Sequence, residues 1–375
     1  MMGFYKGKRV LITGHTGFKG SWLSVILSNL GAEVIGFSSC SKNEVRLFDL
    51  CNIKKELHHV RGDVRDFQSL LNVFQEYRPE IVIHIAAQPL VRISYLSPLE
   101  TYSTNVMGTV HLLEAVRRTD CVRSVVNVTT DKVYENKEWC WGYRENEPLD
   151  GFDPYSNSKS CSELVTHSYV RSFFSASSAS SASSRGSNNI GGSGNNGNRV
   201  AVSTARAGNV IGGGDFAQDR IIPDCVRAAI TKQPIVVRNP SSIRPYQHVL
   251  EPLFAYLLIA QEQYGNAGKS GYYNVGPDEK DCVSTAALVE LFCEEWGEGL
   301  SWHAHEDVHA PHEANFLKLD CSRIKGILGW KPRWGIKTAI KKTVEWSKAW
   351  QEKQDVREIM NTQIEEFINA DPNME

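Results

Sequence analysis

The chain opens with an apolar pattern that changes twice between Arg9 and Phe37. Arg9–Thr13 is a short, partly β-branched apolar run, as expected of a strand buried on both faces. Ser21–Gly31 then carries apolar residues at helical spacing and ends in a glycine, and Glu33–Phe37 is a second apolar run. The pattern predicts a strand–helix–strand unit with a right-handed crossover, which is the building block of a parallel sheet.

Further apolar runs predict more buried strands, at 57–63, 80–88, 123–129 and 199–205. A helix is predicted over Tyr155–Thr166, and amphipathic helix packed on a second lobe is predicted over Ile336–Ile368. This alternation predicts an α/β fold with a Rossmann-type, doubly wound parallel sheet. A smaller second lobe is expected from the chain after about residue 208, with returns of the chain to the sheet.

Residues 175–198 are almost entirely Ser, Ala, Gly and Asn. Such a segment cannot bury enough apolar surface to offset the entropy lost on ordering. It is predicted to be a disordered surface insert, and a protein-docking element is the alternative.

Composition narrows the class of protein. Hydrophobic residues make up 41% and charged residues 22%, which is typical of a globular protein, and the formal net charge of -2 argues against broad nucleic-acid binding. Nine cysteines without C-x-x-C pairs predict free thiols in a reducing compartment and no metal site. No apolar run approaches the roughly 20 residues of a membrane span, and the first strand leaves no room for a signal peptide. A cytoplasmic protein is expected.

A glycine-rich turn joins the first strand to the first helix. Glycines spaced G-x-x-G-x-x-G let the backbone approach a pyrophosphate, which the N–H groups of the helix N-terminus then bind. The alternative is an ordinary glycine-rich loop. No acidic residue closes the second strand, and Lys42 and Arg46 follow, so these residues leave the choice between NAD and NADP open. The residues predicted here to bind the cofactor are Gly14, Thr16, Gly17, Phe18 and Gly20.

Two later strand ends face the same crevice. Asp63, next to Val64, could hold an adenine amino group, or could instead cap the helix that begins near Asp66. The small residues at the end of the 80–88 run would let the backbone lie against a nucleotide. Ala86, Ala87 and Gln88 are therefore predicted to bind the cofactor.

A hydroxyl, a carboxylate and an ammonium follow the strand at 123–129, as Thr130, Asp131 and Lys132. Ligands bind at this edge of an open α/β sheet. Tyr155 and Lys159 lie one helical turn apart, so the lysine is predicted to lower the pKa of the phenol and make it a general base. The alternative is an aromatic–cation pair on the surface.

The chain resembles the extended short-chain dehydrogenases/reductases that act on nucleotide sugars, and within them the CDP-glucose 4,6-dehydratases. The sequence motifs that carry the resemblance are spread over most of the chain. They include G-H-T-G-F-K-G-S-W-L-S, A-A-Q-P-L-V-R-I-S-Y, W-G-Y-R-E-N-E-P, D-P-Y-S-N-S-K, R-A-G-N-V-I-G-G-G-D and R-P-Y-Q-H-V-L-E-P-L. The resemblance implies that residues 1–208 form mainly the NAD(P)-binding domain and residues 209–375 mainly the smaller C-terminal substrate-binding lobe. It also implies a homodimer formed through a helix bundle that includes the Tyr155–Lys159 helix.

The resemblance also implies a reaction. Tyr155 would take the proton of the sugar C4 hydroxyl while a hydride passes to NAD, and Asp131 would protonate the departing C6 hydroxyl. Return of the hydride to C6 would convert CDP-D-glucose to CDP-4-keto-6-deoxy-D-glucose. Many sugar-nucleotide dehydratases have a glutamate beside the aspartate as the base that removes the C5 proton, and Lys132 replaces it here. Lys132 is either that base or a group that positions Asp131.

Residues after 208 are implied to hold the substrate. The resemblance makes Asn209 a contact to the diphosphate or sugar and Arg244 a diphosphate ligand, because a guanidinium offers paired donors. Arg220 and Arg238 are further candidates or solvated surface charges. His312-Glu313 is a candidate for closing the pocket. The choice of a cytidine carrier rests on the resemblance alone.

The sequence is also compatible with two other functions. One is a nucleotide-sugar 4-epimerase or reductase of the same superfamily, against which Asp131-Lys132 argues because epimerisation needs no acid for a departing C6 hydroxyl. The other is a non-catalytic dinucleotide-binding interaction protein that docks through the 175–198 insert. Intact Thr130, Tyr155 and Lys159 argue against it.

Overall fold

The computed structural model describes residues 3–39, 45–174, 200–305 and 316–370. Strands alternate with helices along the first half, as predicted. The strands are β1 (Arg9–Thr13), β2 (Glu33–Ser38), β3 (His58–Arg61), β4 (Ile81–His84), β5 (Ser124–Thr130), β6 (Ala201–Ala207), β7 (Asn209–Ile211), β8 (Ile235–Val237), β9 (Ile243–Arg244), β10 (Tyr246–His248), β11 (Tyr272–Val275), β12 (Val283–Ser284) and β13 (Trp302–Ala304).

Thirteen α-helices lie within the described ranges. They are α1 (Phe18–Asn29), α2 (Leu47–Leu50), α3 (Phe67–Tyr77), α4 (Val91–Leu96), α5 (Pro98–Tyr102), α6 (Gly108–Arg117), α7 (Pro154–Tyr169), α8 (Ile221–Ile230), α9 (Leu250–Gly265), α10 (Thr285–Trp296), α11 (Ser322–Leu328), α12 (Ile336–Gln351) and α13 (Val356–Asn369). Shorter 3-10 turns occur at Ile53–Glu56, Asp131–Val133, Ala267–Lys269 and Glu279–Asp281, and π-helical turns at Ser103–Met107 and Val170–Phe174.

Seven strands form one parallel sheet in the order β11-β6-β5-β4-β1-β2-β3. Successive side chains of a strand face opposite sides, so Val10 and Ile12 of β1 pack into one core and Leu11 into the other. Helices cover both faces, which explains why the three central residues of β1 are all apolar. The predicted α/β class and Rossmann-type architecture are confirmed.

The lobe has its own core, formed by α8, α10 and α12 with residues of β8. It contains three two-stranded ladders, β7 with β10, β9 with β12, and β8 with β13. The chain leaves the sheet after β6, builds part of the lobe, and returns as α9 and β11 before finishing the lobe. Sheet and lobe are therefore interleaved in sequence.

The tail differs from the prediction. It forms two helices, and α12 packs on the lobe core through residues such as Ile340 and Val344 and on the core beneath the sheet through Trp346. Met360, Ile364 and Phe367 of α13 join the core beneath the sheet, where Met360 Sδ accepts a hydrogen bond from the Cys51 thiol at 3.5 Å. The prediction that the whole tail packs on the lobe is wrong for α13, because an amphipathic pattern shows which face is buried and not against what.

Three of the predictions concern residues that the structure does not describe. These residues are the insert at 175–198, Lys42 and His312-Glu313. Within the described ranges, no helix has the length and apolar character needed to cross a bilayer.

Candidate active site

A large cleft of about 2080 Å³ lies between the carboxyl edge of the sheet and the lobe. It brings together residues that are up to 336 positions apart in the chain, from Gly14 to Trp350. With one exception, Asp131, every residue predicted from the sequence to bind or react lines this cleft. These residues are Gly14, Thr16, Gly17, Phe18, Gly20, Asp63, Val64, Ala86, Ala87, Gln88, Thr130, Lys132, Tyr155, Lys159, Asn209, Arg220 and Arg244.

The glycine turn after β1 leaves no room for side chains. Gly14 has φ +80°, and a Cβ there would lie 2.8 Å from the backbone N of Ala86. A Cβ on Gly20 would lie 2.2 Å from the carbonyl oxygen of Gly14. Gly17 precedes α1 without a side-chain cap, so the first N–H groups of the helix are not bound by a capping side chain. Bare N–H groups at a close-packed turn fit the pyrophosphate of a dinucleotide.

The next part of the cleft lies at the ends of β2 and β3. Thr16 and Ser38 are linked through their hydroxyls at 2.8 Å. The carboxylate of Asp63 accepts a hydrogen bond from the Arg65 guanidinium at 2.6 Å, and this bond holds the pKa of Asp63 below its usual range. The alternative role of Asp63 as a helix cap is wrong, because Asp66 caps α3 by accepting a backbone N–H of the first turn.

The side chain of Gln88 forms hydrogen bonds within the wall of the cleft. Its side-chain oxygen accepts the N–H of Leu90 at 2.7 Å, and its amide nitrogen donates to Thr101 at 2.9 Å. Asn105 binds the backbone of Gln88 on both sides, accepting from its N–H at 2.9 Å and donating to its carbonyl at 3.1 Å. These hydrogen bonds fix the backbone of the loop after β4. The side-chain amide of Gln88 is therefore bound within the wall of the cleft.

The hydroxyl and phenol groups meet where β5 ends and α7 begins. Thr130 is the last residue of β5. Asp153 caps α7 by accepting a backbone N–H of its first turn at 3.0 Å, which places Tyr155 and Lys159 one turn apart on the buried side. The Thr130 side chain lies close enough to the Tyr155 phenol to lower its pKa. The strand end and the helix start thus form a single reactive corner.

Asp131 lies behind this corner. Its side chain is fully buried and does not line the cleft. Thr130 donates to its Oδ1 at 2.9 Å, and the Lys132 ammonium lies 3.6 Å from the same oxygen. Oδ2 is buried and has no hydrogen-bond partner among the described residues. Lys132 also donates to Oδ1 of Asn209 at 3.1 Å, so its stem and ammonium stand between Asp131 and the lobe.

The pKa values at this corner depart from the expectation. Burial raises the pKa of Tyr155 to about 12, although the interaction with the Thr130 side chain opposes the shift. Burial lowers the pKa of Lys159 to about 8, against the attraction of Glu163. The Lys159 ammonium donates to the carbonyl of Val128 at 3.0 Å. The prediction that Lys159 depresses the pKa of Tyr155 is wrong for this structure, because loss of hydration outweighs the charges nearby.

Arginines from the lobe face the reactive corner across the cleft. Arg220 forms an ion pair with Asp215 at 2.9 Å and lies close enough to Tyr155 to lower its pKa slightly. Arg244 is buried on β9 at the cleft surface. Arg238 is one-third exposed and pairs with Asp219 at 2.9 Å. The three guanidinium groups carry paired donors of the kind that suits a diphosphate, and two of them are bound to carboxylates in this structure.

A buried ion pair holds α7 against the sheet. Arg206 of β6 donates to Glu163 of α7 at 2.9 Å, and both side chains are fully buried. Thr129 and Thr204 also donate to the Glu163 carboxylate. Arg206 and these hydrogen bonds hold the pKa of Glu163 down at about 2, in spite of its burial. Glu163 lies one turn beyond Lys159, so the network fixes the helix that carries Tyr155.

Two cleft residues were missed by the sequence reasoning. Lys19 is the second residue of α1, directly after the glycine turn, and Arg92 lies on α4 with its guanidinium 3.9 Å from Asp219. Lys19 could have been identified as a cleft residue from the sequence, because it is a charged residue within the glycine turn, at the start of a helix that is predicted to face a ligand. Arg92 follows the end of β4 and could have been found in the same way. Among the described residues, no cluster of His, Cys, Asp and Glu could hold a metal ion.

Comparison with known proteins places this geometry in a family. The sequence model of GDP-mannose 4,6 dehydratase matches residues 11–343. The CDP-glucose 4,6-dehydratase of Salmonella typhimurium is 46% identical over 368 residues, which cover 98% of each chain. A probable dTDP-glucose 4,6-dehydratase of Sinorhizobium fredii is 26% identical and is matched over 90% of this chain and 92% of its own.

Solved structures share the fold. The dTDP-glucose 4,6-dehydratase of Bacillus anthracis in complex with NAD has a TM-score of 0.74 at 20% identity, covering 93% of this chain and 99% of that one. The UDP-glucose 4-epimerase of Thermus thermophilus in complex with NAD has a TM-score of 0.75 at 23% identity, covering 91% and 99%. At these identities the likeness establishes architecture alone.

Proposed function

The chain belongs to the GDP-mannose 4,6-dehydratase family, and from this membership and the cleft we propose that it is an NAD-dependent nucleotide-sugar 4,6-dehydratase acting on CDP-glucose. The observation that carries the proposal is the joint placement of Thr130, Tyr155 and Lys159 at one wall, with Asp131 and Lys132 beside them. The choice of CDP-glucose is supported by the 46% identical relative that bears that name.

The cofactor end of the cleft fits a dinucleotide. The bare N-terminus of α1 at the glycine turn would hold the pyrophosphate, and Asp63 with the Ala86–Gln88 loop would line the nucleoside. When bound, NAD supplies a hydride acceptor for the C4 oxidation and a hydride donor for C6. The remaining chemistry belongs to the side chains of this protein.

The Tyr155 phenol and the Thr130 hydroxyl act on the hydroxyl group at C4 of the sugar. Tyr155 takes the proton of the C4 hydroxyl as the hydride leaves, and Thr130 binds the same oxygen. Because burial raises its pKa to about 12, Tyr155 is a strong base once ionised. The resulting C4 ketone acidifies the C5 hydrogen and makes loss of water from C6 feasible.

Asp131 supplies the proton for the departing C6 hydroxyl. Its Oδ1 is held by Thr130, which leaves the unpartnered Oδ2 as the atom that can donate. Asp131 is covered by Lys132, whose ammonium is held by Asn209. Binding of a sugar or diphosphate to Asn209 would break this contact, free Lys132 to turn away, and uncover the acid. Loss of water across C5 and C6 also releases the C5 proton, and Lys132, whose ammonium lies 3.6 Å from Asp131, either accepts this proton or positions Asp131.

Incubation with CDP-glucose, dTDP-glucose, UDP-glucose and GDP-mannose tests the assignment. We expect a 4-keto-6-deoxy product from CDP-glucose, seen as loss of one water by mass spectrometry, with solvent deuterium at C5. Tyr155→Phe should lower turnover by about 10²–10⁴-fold while NAD binding is kept. A product of unchanged mass epimerised at C4 would identify an epimerase, and ligand binding without any product would identify a non-catalytic protein.

The proposal includes a homodimer formed through α7. Large apolar side chains are more than half exposed on α5 and α7, which pack together, notably Leu99 at 84% and Leu164 at 52%. Such a patch is typical of an interface. Leu99→Glu should give monomers in sedimentation equilibrium, whereas Val236→Glu, at a half-exposed position on the lobe, should leave the dimer intact. Monomeric wild-type protein would refute this part.

A cytoplasmic location is the last part of the proposal. The eight cysteines within the described ranges carry free thiols. Free thiols are the state that a reducing compartment maintains, which supports this location.

A further inference from the structure

One carboxylate oxygen joins the two walls of the cleft. Arg92 belongs to α4 on the sheet side, whereas Arg238 directly follows β8 of the lobe. Arg238 donates a hydrogen bond of 2.9 Å to Oδ1 of Asp219, and the Arg92 guanidinium lies 3.9 Å from the same oxygen. All three residues line the cleft. Asp219 therefore lies between two cations that belong to different parts of the fold.

Asp219 is held at this position by charge and not by burial. Its side chain is 45% exposed, so a ligand in the cleft can reach it. It lies in a turn, and its φ of 60° is a left-handed conformation that aspartate and asparagine adopt more readily than most other residues. The carboxylate can therefore leave its arginine partners for solvent without breaking any packing of the core.

The turn that carries Asp219 faces the reactive corner. The next residue, Arg220, lowers the pKa of Tyr155 and forms an ion pair with Asp215 at 2.9 Å. On the sheet side, the α4 helix that carries Arg92 packs against α7, which carries Tyr155. In a nucleotide sugar the diphosphate is joined to C1, one sugar ring away from C4. When C4 lies at Tyr155, the diphosphate is therefore within reach of the arginines around Asp219.

A diphosphate and the Asp219 carboxylate compete for the same donors. Both are anions that a guanidinium binds through paired N–H groups. Two anions at one pair of arginines repel each other, so a bound diphosphate excludes the carboxylate from its position. A second carboxylate, that of Asp224, lies 3.9 Å from Arg238 but is bound by Arg227 on its own helix. The position that a diphosphate takes is therefore that of Asp219, whereas Asp224 stays with Arg227.

We propose that Arg92 and Arg238 bind the diphosphate of the nucleotide sugar from the two sides of the cleft, and that Asp219 holds them together until the substrate displaces it. In this structure the carboxylate offsets the repulsion between the two guanidinium groups, and the diphosphate takes over that role on binding. Arg92 is thus a substrate-binding residue on the sheet side. Asp219 is an internal competitor that lowers the affinity for nucleoside diphosphates. This inference rests on the proposed function, because it needs a nucleotide sugar to bind with C4 at Tyr155.

Binding of CDP and of cytidine to the full chain tests both parts of the inference. Their Kd values are measured by calorimetry for the wild type, Asp219→Asn and Arg92→Met. We expect Asp219→Asn to bind CDP on the order of tenfold more tightly, because the charge that competes with the diphosphate is removed. Asparagine also adopts the left-handed conformation of this position, so the turn is kept. Arg92→Met should bind CDP on the order of tenfold more weakly, through loss of a hydrogen bond between charged groups. Cytidine, which has no phosphate, should bind equally to all three proteins.

Two control variants match these changes. Asp150→Asn removes a carboxylate from an exposed position on the cleft wall. Arg144→Met removes a guanidinium that pairs with Glu147 outside the cleft. Both variants should keep the wild-type Kd for CDP. Arg92→Met should also keep the wild-type Kd for NADH, because the inference assigns Arg92 to the substrate and not to the cofactor.

The outcomes separate this inference from the proposed function. Tighter CDP binding by Asp219→Asn, together with weaker CDP binding by Arg92→Met, would support the inference. Unchanged CDP binding by Asp219→Asn would overturn it, and so would weaker binding, because Asp219 would then contact the ligand itself. Equal losses of NADH and CDP affinity in Arg92→Met would overturn the role given to Arg92. If the wild type formed no 4-keto-6-deoxy product from any nucleotide hexose, the proposed function itself would fail.

Discussion

Lys132 donates a hydrogen bond of 3.1 Å to the side chain of Asn209 and thereby connects the end of β5 to the first residue of β7. The same ammonium lies 3.6 Å from Asp131, which is fully buried. A single lysine therefore links the proposed acid to a residue proposed to bind the substrate. Occupation of Asn209 by a ligand would be communicated to Asp131 through this contact.

Replacement of Lys132 tests whether it positions Asp131 or removes the C5 proton. We expect Lys132→Met to lower turnover by about 10–100-fold, since a misplaced catalytic group typically costs that much. Exchange of solvent deuterium into C5 should persist in this variant if Lys132 only positions Asp131. Lys137→Met, at a half-exposed position on the rim of the cleft, serves as the control and should retain activity. Loss of C5 exchange with intact C4 oxidation would make Lys132 the base.

Asp131→Asn tests the proton donor. The amide oxygen can still accept the hydrogen bond from Thr130, so the corner should keep its geometry. An amide cannot release a proton to the C6 hydroxyl, and we expect the 4-keto intermediate to form while loss of water slows by about 10²–10⁴-fold. Rapid-quench analysis of sugar products resolves the two steps. Asp150→Asn, at an exposed position on the cleft wall, should behave like the wild type. Equal slowing of both steps would show that Asp131 has another role.

The Glu163–Arg206 pair gives a prediction for stability. Glu163→Gln leaves the buried guanidinium of Arg206 unpaired, and we expect a loss of about 3–5 kcal/mol in the free energy of unfolding at pH 7. Urea titration measures the loss. Glu135→Gln, whose partner Lys137 is half exposed, should change stability by less than about 1 kcal/mol.

The same pair predicts a pH dependence. The pKa of Glu163 is about 2 in the folded protein, below the ordinary value of 4.5. Stability from its ionised form is therefore complete above about pH 4.5 and is lost as the pH falls toward 2, by about 3 kcal/mol in total. Urea titrations from pH 7 to pH 3 should show the gap between wild type and Glu163→Gln narrowing on the acid side. A constant gap would mean that the charge of Glu163 does not contribute.

The glycine turn is tested by adding a single methyl group. In Gly20→Ala the new Cβ would lie 2.2 Å from the carbonyl oxygen of Gly14, so the turn has to open. We expect NAD affinity to fall by more than about tenfold and stability by about 1–3 kcal/mol. Gly326→Ala, in α11 with no atom within 4 Å, should instead be stabilising by about 0.5–1 kcal/mol. Unaltered NAD binding by Gly20→Ala would argue against a cofactor at this turn.

Features set by short stretches of the chain could be predicted from the sequence. The apolar run Arg9–Thr13, the three glycines of the turn and the cap at Asp153 determine β1, the start of α1 and the start of α7 through local backbone preferences. The carboxyl ends of parallel strands share one edge, so the pattern also indicated that Thr130 and Gly14 would face the same cleft. The resemblance carried by the motifs supplied the reaction.

What depends on distant neighbours was settled by the tertiary structure. The burial of Asp131 behind Lys132, the raised pKa of Tyr155 and the position of Lys19 all follow from atoms that separate segments bring within a few ångströms. An amphipathic pattern likewise could not tell that α13 packs beneath the sheet and α12 on the lobe. Backbone conformation is decided largely by adjacent residues, whereas hydration and electrostatic potential at a side chain are summed over everything that surrounds it. For this reason the amino-acid sequence by itself determined where the site lies. Only the tertiary structure determined how the side chains of the site ionise and which of them are exposed.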